Sequence, residues 1–210
     1  MEIADILAAL TTFETGHFPR AALEAAIAQR EAITPELLRV LEETKQDRLE
    51  RLLTESGYML PFYTAYLLAQ FRETRAYPLI VDIFAMPGEG VHDAFGGLVT
   101  EDLSRILASV SGGDVSGLHR LIEAPRANEY VRSAALRALV VLVAQDVLSR
   151  EDVIAYFRYL FREGLEREYS FAWDALVSVT SDLYPEELME DIEQVFAAEI
   201  IDEMFIDRAW

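Results

Sequence analysis

Beginning at Glu129 the chain carries one face of a helix. Val131, Ala134, Ala135, Ala138, Leu139 and Leu142 fall at i, i+3, i+4, i+7, i+8 and i+11. That spacing puts them on one side of a 3.6-residue turn, and the alanines let a second helix approach closely. Asn128 stands just before the run, where a short acceptor side chain can satisfy a first-turn amide. The same register returns at Ala172, Ala175, Leu176, Val179 and Leu183, each 41 positions after its counterpart from Val131 to Leu142. Upstream, Ile83-Phe84-Ala85-Met86-Pro87 echoes Leu121-Ile122-Glu123-Ala124-Pro125 at a separation of 38. A period near 40 residues is that of stacked helix pairs.

The remaining punctuation agrees with an all-α chain. Phe18-Pro19 opens an alanine-rich run to Ala28, and Thr34-Pro35-Glu36 predicts a second helix start, with threonine as cap and proline in the first turn. Leu37, Leu38, Leu41, Leu49, Leu52 and Leu53 supply the buried side of this block, which Gly57 interrupts. Tyr77-Pro78 opens a short apolar helix ended by Pro87-Gly88, and Gly88 to Gly97 predicts a flexible connector. Thr100-Glu101-Asp102 starts a helix ended by Gly112-Gly113. Asp114 is placed to cap the next helix, and Ser149 a later one. No Pro/Gly/Ser-rich linker divides the 210 residues, so one domain is expected over 1–210, with N-terminal helices in 1–56 and helix pairs in 57–210.

Charge narrows the choice of partner. Thirty-seven acids against 18 Lys plus Arg give a formal net charge of −19. Phosphate backbones and anionic membranes require clustered cations, so neither nucleic acid nor a membrane is expected as a partner. From Asp182 onward acids outnumber bases ten to one. A basic protein partner or a metal could use that surface, and it would equally serve as a solvated, solubility-giving face. Glu187, Glu190 and Asp191 represent it as candidate binding residues. There is no cysteine, which removes disulfides, thiol catalysis and thiolate metal sites. The opening Met1-Glu2-Ile3-Ala4-Asp5 lacks the basic start of a signal peptide, and no apolar run is long enough to cross a bilayer. A cytoplasmic protein is expected.

The run beginning at Asn128 resembles the second helix of a HEAT-type repeat. Several segments in order, Phe18-Pro19-Arg20, Thr34-Pro35-Glu36-Leu37-Leu38, Tyr77-Pro78, Thr100-Glu101-Asp102-Leu103 and Glu129-Tyr130-Val131-Arg132, resemble a bacterial family catalogued as a domain of unknown function. The resemblance spans most of the chain. It implies a HEAT/armadillo-like α-solenoid, a right-handed α-α superhelix, with no assigned activity. Some relatives carry a Cys/His zinc tail of the SEC-C type; without cysteine, that tail is not expected here. Ending at Trp210, just after an amphipathic helix, fits either a truncated or a shorter member. Arg132 matches the arginine that HEAT-type helices use in a polar ladder between repeats, with Asn128 in place of the usual aspartate.

Candidate chemistry is sparse. His17, His92 and His119 have no ligand partner at i+3 or i+4, so no local zinc site is encoded and no cofactor is expected. His92 beside Asp93 is the best candidate for a general base held by a carboxylate. Tyr58, Phe62 and Tyr66, four apart, would share a helix face and could line a ligand groove, or simply pack between helices. Arg137 lies off the buried stripe with Ser133 and Val141, placed to meet a partner carboxylate.

Two functions follow as expectations. The first is a non-catalytic scaffold that binds a protein segment along a curved helical surface. The second is a helical-repeat enzyme with a small-ligand pocket, of the bilin-lyase or HEAT-like glycosylase kind. The glycosylase version is weakened by the charge. Oligomeric state is not encoded in any feature of the chain.

Overall fold

In the computed structural model, the helix that starts after Asn128 runs from Glu129 to Ala144, and its predicted stripe is fully or nearly fully buried: Val131, Ala135 and Ala138 are 0% exposed. Asn128 caps it, its Oδ1 accepting from the amides of Tyr130 and Val131. The structure describes residues 1–45, 49–202 and 204–206. Glu203, Asp207 and Arg208, counted above in the acidic tail, lie outside the described residues.

Thirteen α-helices form among the described residues: α1 (Ile3–Ala9), α2 (Arg20–Ala28), α3 (Arg30–Glu43), α4 (Leu49–Thr54), α5 (Leu60–Gln70), α6 (Ala76–Phe84), α7 (Gly90–Phe95), α8 (Leu103–Ser111), α9 (Ser116–Ile122), α10 (Glu129–Ala144), α11 (Arg150–Tyr159), α12 (Phe171–Ser181) and α13 (Met189–Ala197). Wider turns precede α8 (Leu98–Asp102) and follow α11 (Leu160–Gly164). No strand forms among the described residues; β pairing is confined to isolated bridges such as Thr12 with Tyr58 and Pro87 with Ala127.

Two rows organise the helices. α3, α5, α8, α10 and α12 pack side by side in chain order, and α6 packs on α9 behind them. The second row continues through side chains. The Tyr156 ring of α11 stacks on His119 of α9 at 3.7 Å, and Arg162 after α11 donates to Asp191 of α13 at 2.7 Å. One continuous apolar cluster runs from Ile6 to Ile201, with Trp173, Phe157 and Leu107 among its fully buried members. Burying each such side chain contributes about 1.5–3 kcal/mol.

Three local expectations are corrected. Thr34 is not a cap: α3 begins at Arg30 and carries Pro35 in its interior. Buried Thr34 instead bonds back to the carbonyl of Arg30 at 2.7 Å, and packing of Ile33, Leu37 and Leu41 outweighs the loss of one helical bond at proline. The Gly88–Gly97 connector is not all loop, because α7 forms inside it, driven by burial of Val91, Ala94 and Phe95. Tyr58 does not share a helix face with Phe62 and Tyr66. Pro61 lies in the first turn of α5, which starts at Leu60, while the Met59 amide bonds to Thr11 and holds Tyr58 in extended backbone.

Candidate functional site

The N-terminal ends of α7, α10 and α12 bring several polar side chains together. Asn128 uses its oxygen to cap α10 and its Nδ2 to donate to Glu89 Oε2 at 2.7 Å, so one side chain joins two helix pairs. Glu129, the first residue of α10, accepts from the Phe171 amide at the start of α12 at 2.9 Å. Both carboxylates therefore sit at helix N-termini, where the backbone dipole favours negative charge.

Arg132 lies beneath them, 1% exposed. Its Nε donates to the Ile122 carbonyl at 2.9 Å and its two terminal nitrogens donate to the two oxygens of Glu166. The guanidinium holds the Glu166 carboxyl below its ordinary value, against the opposing effect of burial. Arg132, expected in a polar ladder between repeats, thus joins α9, α10 and the segment before α12. A pocket of about 380 Å³ opens over it, walled by Glu89, Arg126, Asn128, Glu129, Glu168 and Tyr169. Its donors and acceptors suit recognition of a cation or of N–H groups.

Beside the pocket runs a row of rings. His92 of α7 stacks on Tyr130 of α10 with centroids 5.0 Å apart and planes at 26°. Tyr130 meets Phe171 of α12 at 5.0 Å, and Phe171 meets Phe205 edge-on at 5.7 Å. The chain beyond α13 is tied down at Asp174, 1% exposed, which accepts from the Asp202 amide at 2.9 Å and from the Tyr169 hydroxyl at 3.2 Å. Burial raises the Asp174 carboxyl above its ordinary value.

The residues singled out in the sequence disperse. His92 joins the ring row, but its neighbour Asp93 is exposed and no hydrogen bond links the two among those described. Successive helical residues point about 100° apart, which separates them. Tyr58 is buried under the Arg51 guanidinium, 4.0 Å above its ring. Phe62 packs on Phe95 at 5.3 Å. Tyr66, 41% exposed, donates to Asp102 at 2.5 Å and lines a shallow pocket between α5 and α8. Arg137 is exposed and reaches Asp182 at 3.3 Å. Glu187 takes two bonds from Arg150, which pull its carboxyl down to about 2. Asp191 is 4% exposed and paired with Arg162, while Glu190 stays on the surface. Among the described residues no group of three or more His, Asp or Glu side chains is placed to hold a metal.

Tyr130, Phe171, Glu89 and Glu129 were not named as candidate site residues from the sequence, although Glu129 and Tyr130 stand in a segment that carries the family resemblance. The signal was present: Tyr130 and Phe171 each stand one position before the matched Val131 and Ala172.

The comparisons with known proteins agree with one another. Two curated relatives, each described as an uncharacterised protein, come from Chlamydia trachomatis (serovar D, strain UW-3/Cx) and Chlamydia muridarum (strain MoPn / Nigg). The first is 47% identical over 206 residues, 98% of this chain and 81% of its own length. The second is 48% identical over 206 residues, covering 98% of this chain and 82% of its own. No solved structure matches the chain significantly. The family model described as a protein of unknown function, DUF1186, matches residues 1–209. With a match of that extent, and relatives this similar over nearly the whole chain, the protein belongs to the DUF1186 family of bacterial proteins.

Proposed function

We propose that this chain is a non-catalytic helical-repeat scaffold that binds a basic protein segment in the cytoplasm, its helix pairs winding as a right-handed α-solenoid. One observation carries the reading: the side-chain ties between helices connect each pair to the next. Arg30 with Phe71, Tyr77 with Leu118, Glu89 with Asn128, Glu129 with Phe171 and Arg150 with Glu187 are separated by 41, 41, 39, 42 and 37 residues. Neighbour-only stacking leaves a long helical surface for a partner. The net charge of −19 sets the sign of that partner. No helix of the described residues is long and apolar enough to cross a membrane.

The enzyme alternative draws on the space of about 540 Å³ between α6 and α9. Three of its polar groups are already engaged in the fold. The Tyr77 hydroxyl accepts from the Leu118 amide, Arg120 donates to Asp82, and Asp114 accepts from the Ser116 amide.

Crosslinking mass spectrometry on the chain in its native bacterial extract, with anisotropy titrations against DNA and RNA at ~50 mM salt, tests the scaffold reading. Crosslinked basic proteins and no nucleic-acid binding are expected. Micromolar or tighter binding to DNA or RNA would overturn it.

A further inference from the structure

The row His92–Tyr130–Phe171–Phe205 has a property that packing alone does not require. It takes one ring from each of four successive segments, roughly one repeat length apart in sequence. The rings do not close into the core: His92, Tyr130 and Phe171 are half-buried, and Phe205 at the end is 65% exposed. Carboxylates accompany three of the four segments. Glu89 is joined through Asn128 to the start of α10, Glu129 holds the Phe171 amide, and the Asp202 carboxylate accepts from the Met204 amide next to Phe205. Each of the three carboxylates uses one oxygen to hold the fold, while a carboxylate has acceptor capacity for about four bonds.

Partly exposed rings beside carboxylates suit a guanidinium better than an ammonium. Arginine lies flat on an aromatic face and offers its edge N–H groups to a carboxylate, whereas lysine brings a strongly hydrated point charge. The chain's own arginines lie over rings elsewhere: Arg51 over Tyr58 at 4.0 Å while bonded to the Glu55 carboxylate, Arg30 over Phe71 at 5.4 Å and Arg167 over Trp173 at 5.5 Å. None of the described cation–ring contacts covers a ring of the row. We infer that this row, with Glu89, Glu129 and Asp202 along it, is the docking strip for an arginine-bearing segment of a basic protein partner. The inference rests on the scaffold reading and gives it a place and a chemistry.

Fluorescence anisotropy with two labelled peptides on the full chain tests it: an arginine-rich octapeptide and its lysine counterpart of equal charge. The arginine peptide is expected to bind at least ~5-fold tighter, since stacking and bidentate bonding are absent for lysine. Phe205→Ala and Glu129→Gln, checked for an unchanged melting profile, should each weaken the arginine peptide at least ~3-fold, the loss of one stacked or charge-assisted contact. Tyr184→Ala, at a residue 84% exposed and outside the row, serves as the control and should change nothing. Phe205 is largely exposed, so its variant keeps the test valid if Glu129→Gln fails to fold. In NMR titrations, shifts should concentrate on His92, Tyr130, Phe171 and Phe205. Equal binding of both peptides, indifference to Phe205→Ala, or shifts confined to α13 would overturn the docking strip while leaving a basic-partner scaffold standing. If neither peptide binds and no basic protein crosslinks, both readings fail together.

Discussion

Arg132 and Glu166 face each other through two parallel hydrogen bonds, one of them 2.7 Å long, with the arginine 1% exposed and the carboxylate at the pocket floor. The pair ties α10 to the segment before α12, and the third arginine bond, to Ile122, ties both to α9. Removing the guanidinium leaves a carboxylate and a buried carbonyl without their donor. Arg132→Ala should therefore cost about 3–5 kcal/mol in urea unfolding. Arg132→Lys should recover less than half of that, because an ammonium cannot make the forked contact.

The same pair predicts a pH dependence. The folded-state value of Glu166 is depressed, so its contribution is fully present above the unfolded value near 4.5 and is lost as pH falls through the folded value. Glu166→Gln should cost about 1–2 kcal/mol at pH 7. The gap between wild type and variant should close progressively below pH 4.5, measured by urea midpoints across an acid series.

Asp174 runs in the opposite sense. Burial raises its folded value above 3.8, so stability is lost as pH rises through that value, and at neutral pH the buried charge is a cost. Asp174→Asn keeps an acceptor for the Asp202 amide and removes the charge; its melting temperature at pH 7 should match or exceed wild type. Asp174→Ala removes both acceptors and should cost about 1–3 kcal/mol, loosening residues 200–202 and 204–206 as read by amide hydrogen exchange.

Ala138 has no exposed surface on a helix that packs between α8 and α12. Ala138→Leu should overpack that contact by roughly 1–3 kcal/mol, and differential scanning calorimetry would detect the lower melting temperature.

Gly117 marks a second close approach. A Cβ there would stand 2.7 Å from Val81 and 2.8 Å from the Tyr77 ring and hydroxyl. Gly117→Ala should displace Tyr77, break its bond from the Leu118 amide and cost about 1–3 kcal/mol. The Tyr77 phenol is pushed up to about 12, mainly by burial. Spectrophotometric titration of that tyrosine in the variant should move back towards the ordinary phenol range.

Much of the helical order was legible because its causes are local. The stripe in α10, its Asn128 cap, the Ser149 cap and the Gly112 stop each depend on residues within one or two turns. Where local cues competed with packing, reading by cue misled. Thr34-Pro35 has every mark of a helix start, yet Ile33, Leu37 and Leu41 bury along one continuous α3. The glycines of 88–97 suggest a loop, yet Val91 and Phe95 gain more by burying as α7.

The amino-acid order alone determined a helical character, an apolar register that recurs 41 positions on and an acidic character, because periodicity and charge are properties of the string. Only the tertiary structure decided which acids are exposed. Asp191 and Glu187 look alike on paper, but Asp191 is buried against Arg162 and Glu187 is tied to Arg150. It also decided that His92 meets Tyr130 rather than Asp93, and that Tyr130, Phe171 and Phe205 line up beside Glu89 and Glu129. Such neighbours lie far apart in the chain, and they meet only when packing of the buried stripes sets how one helix is rotated against another.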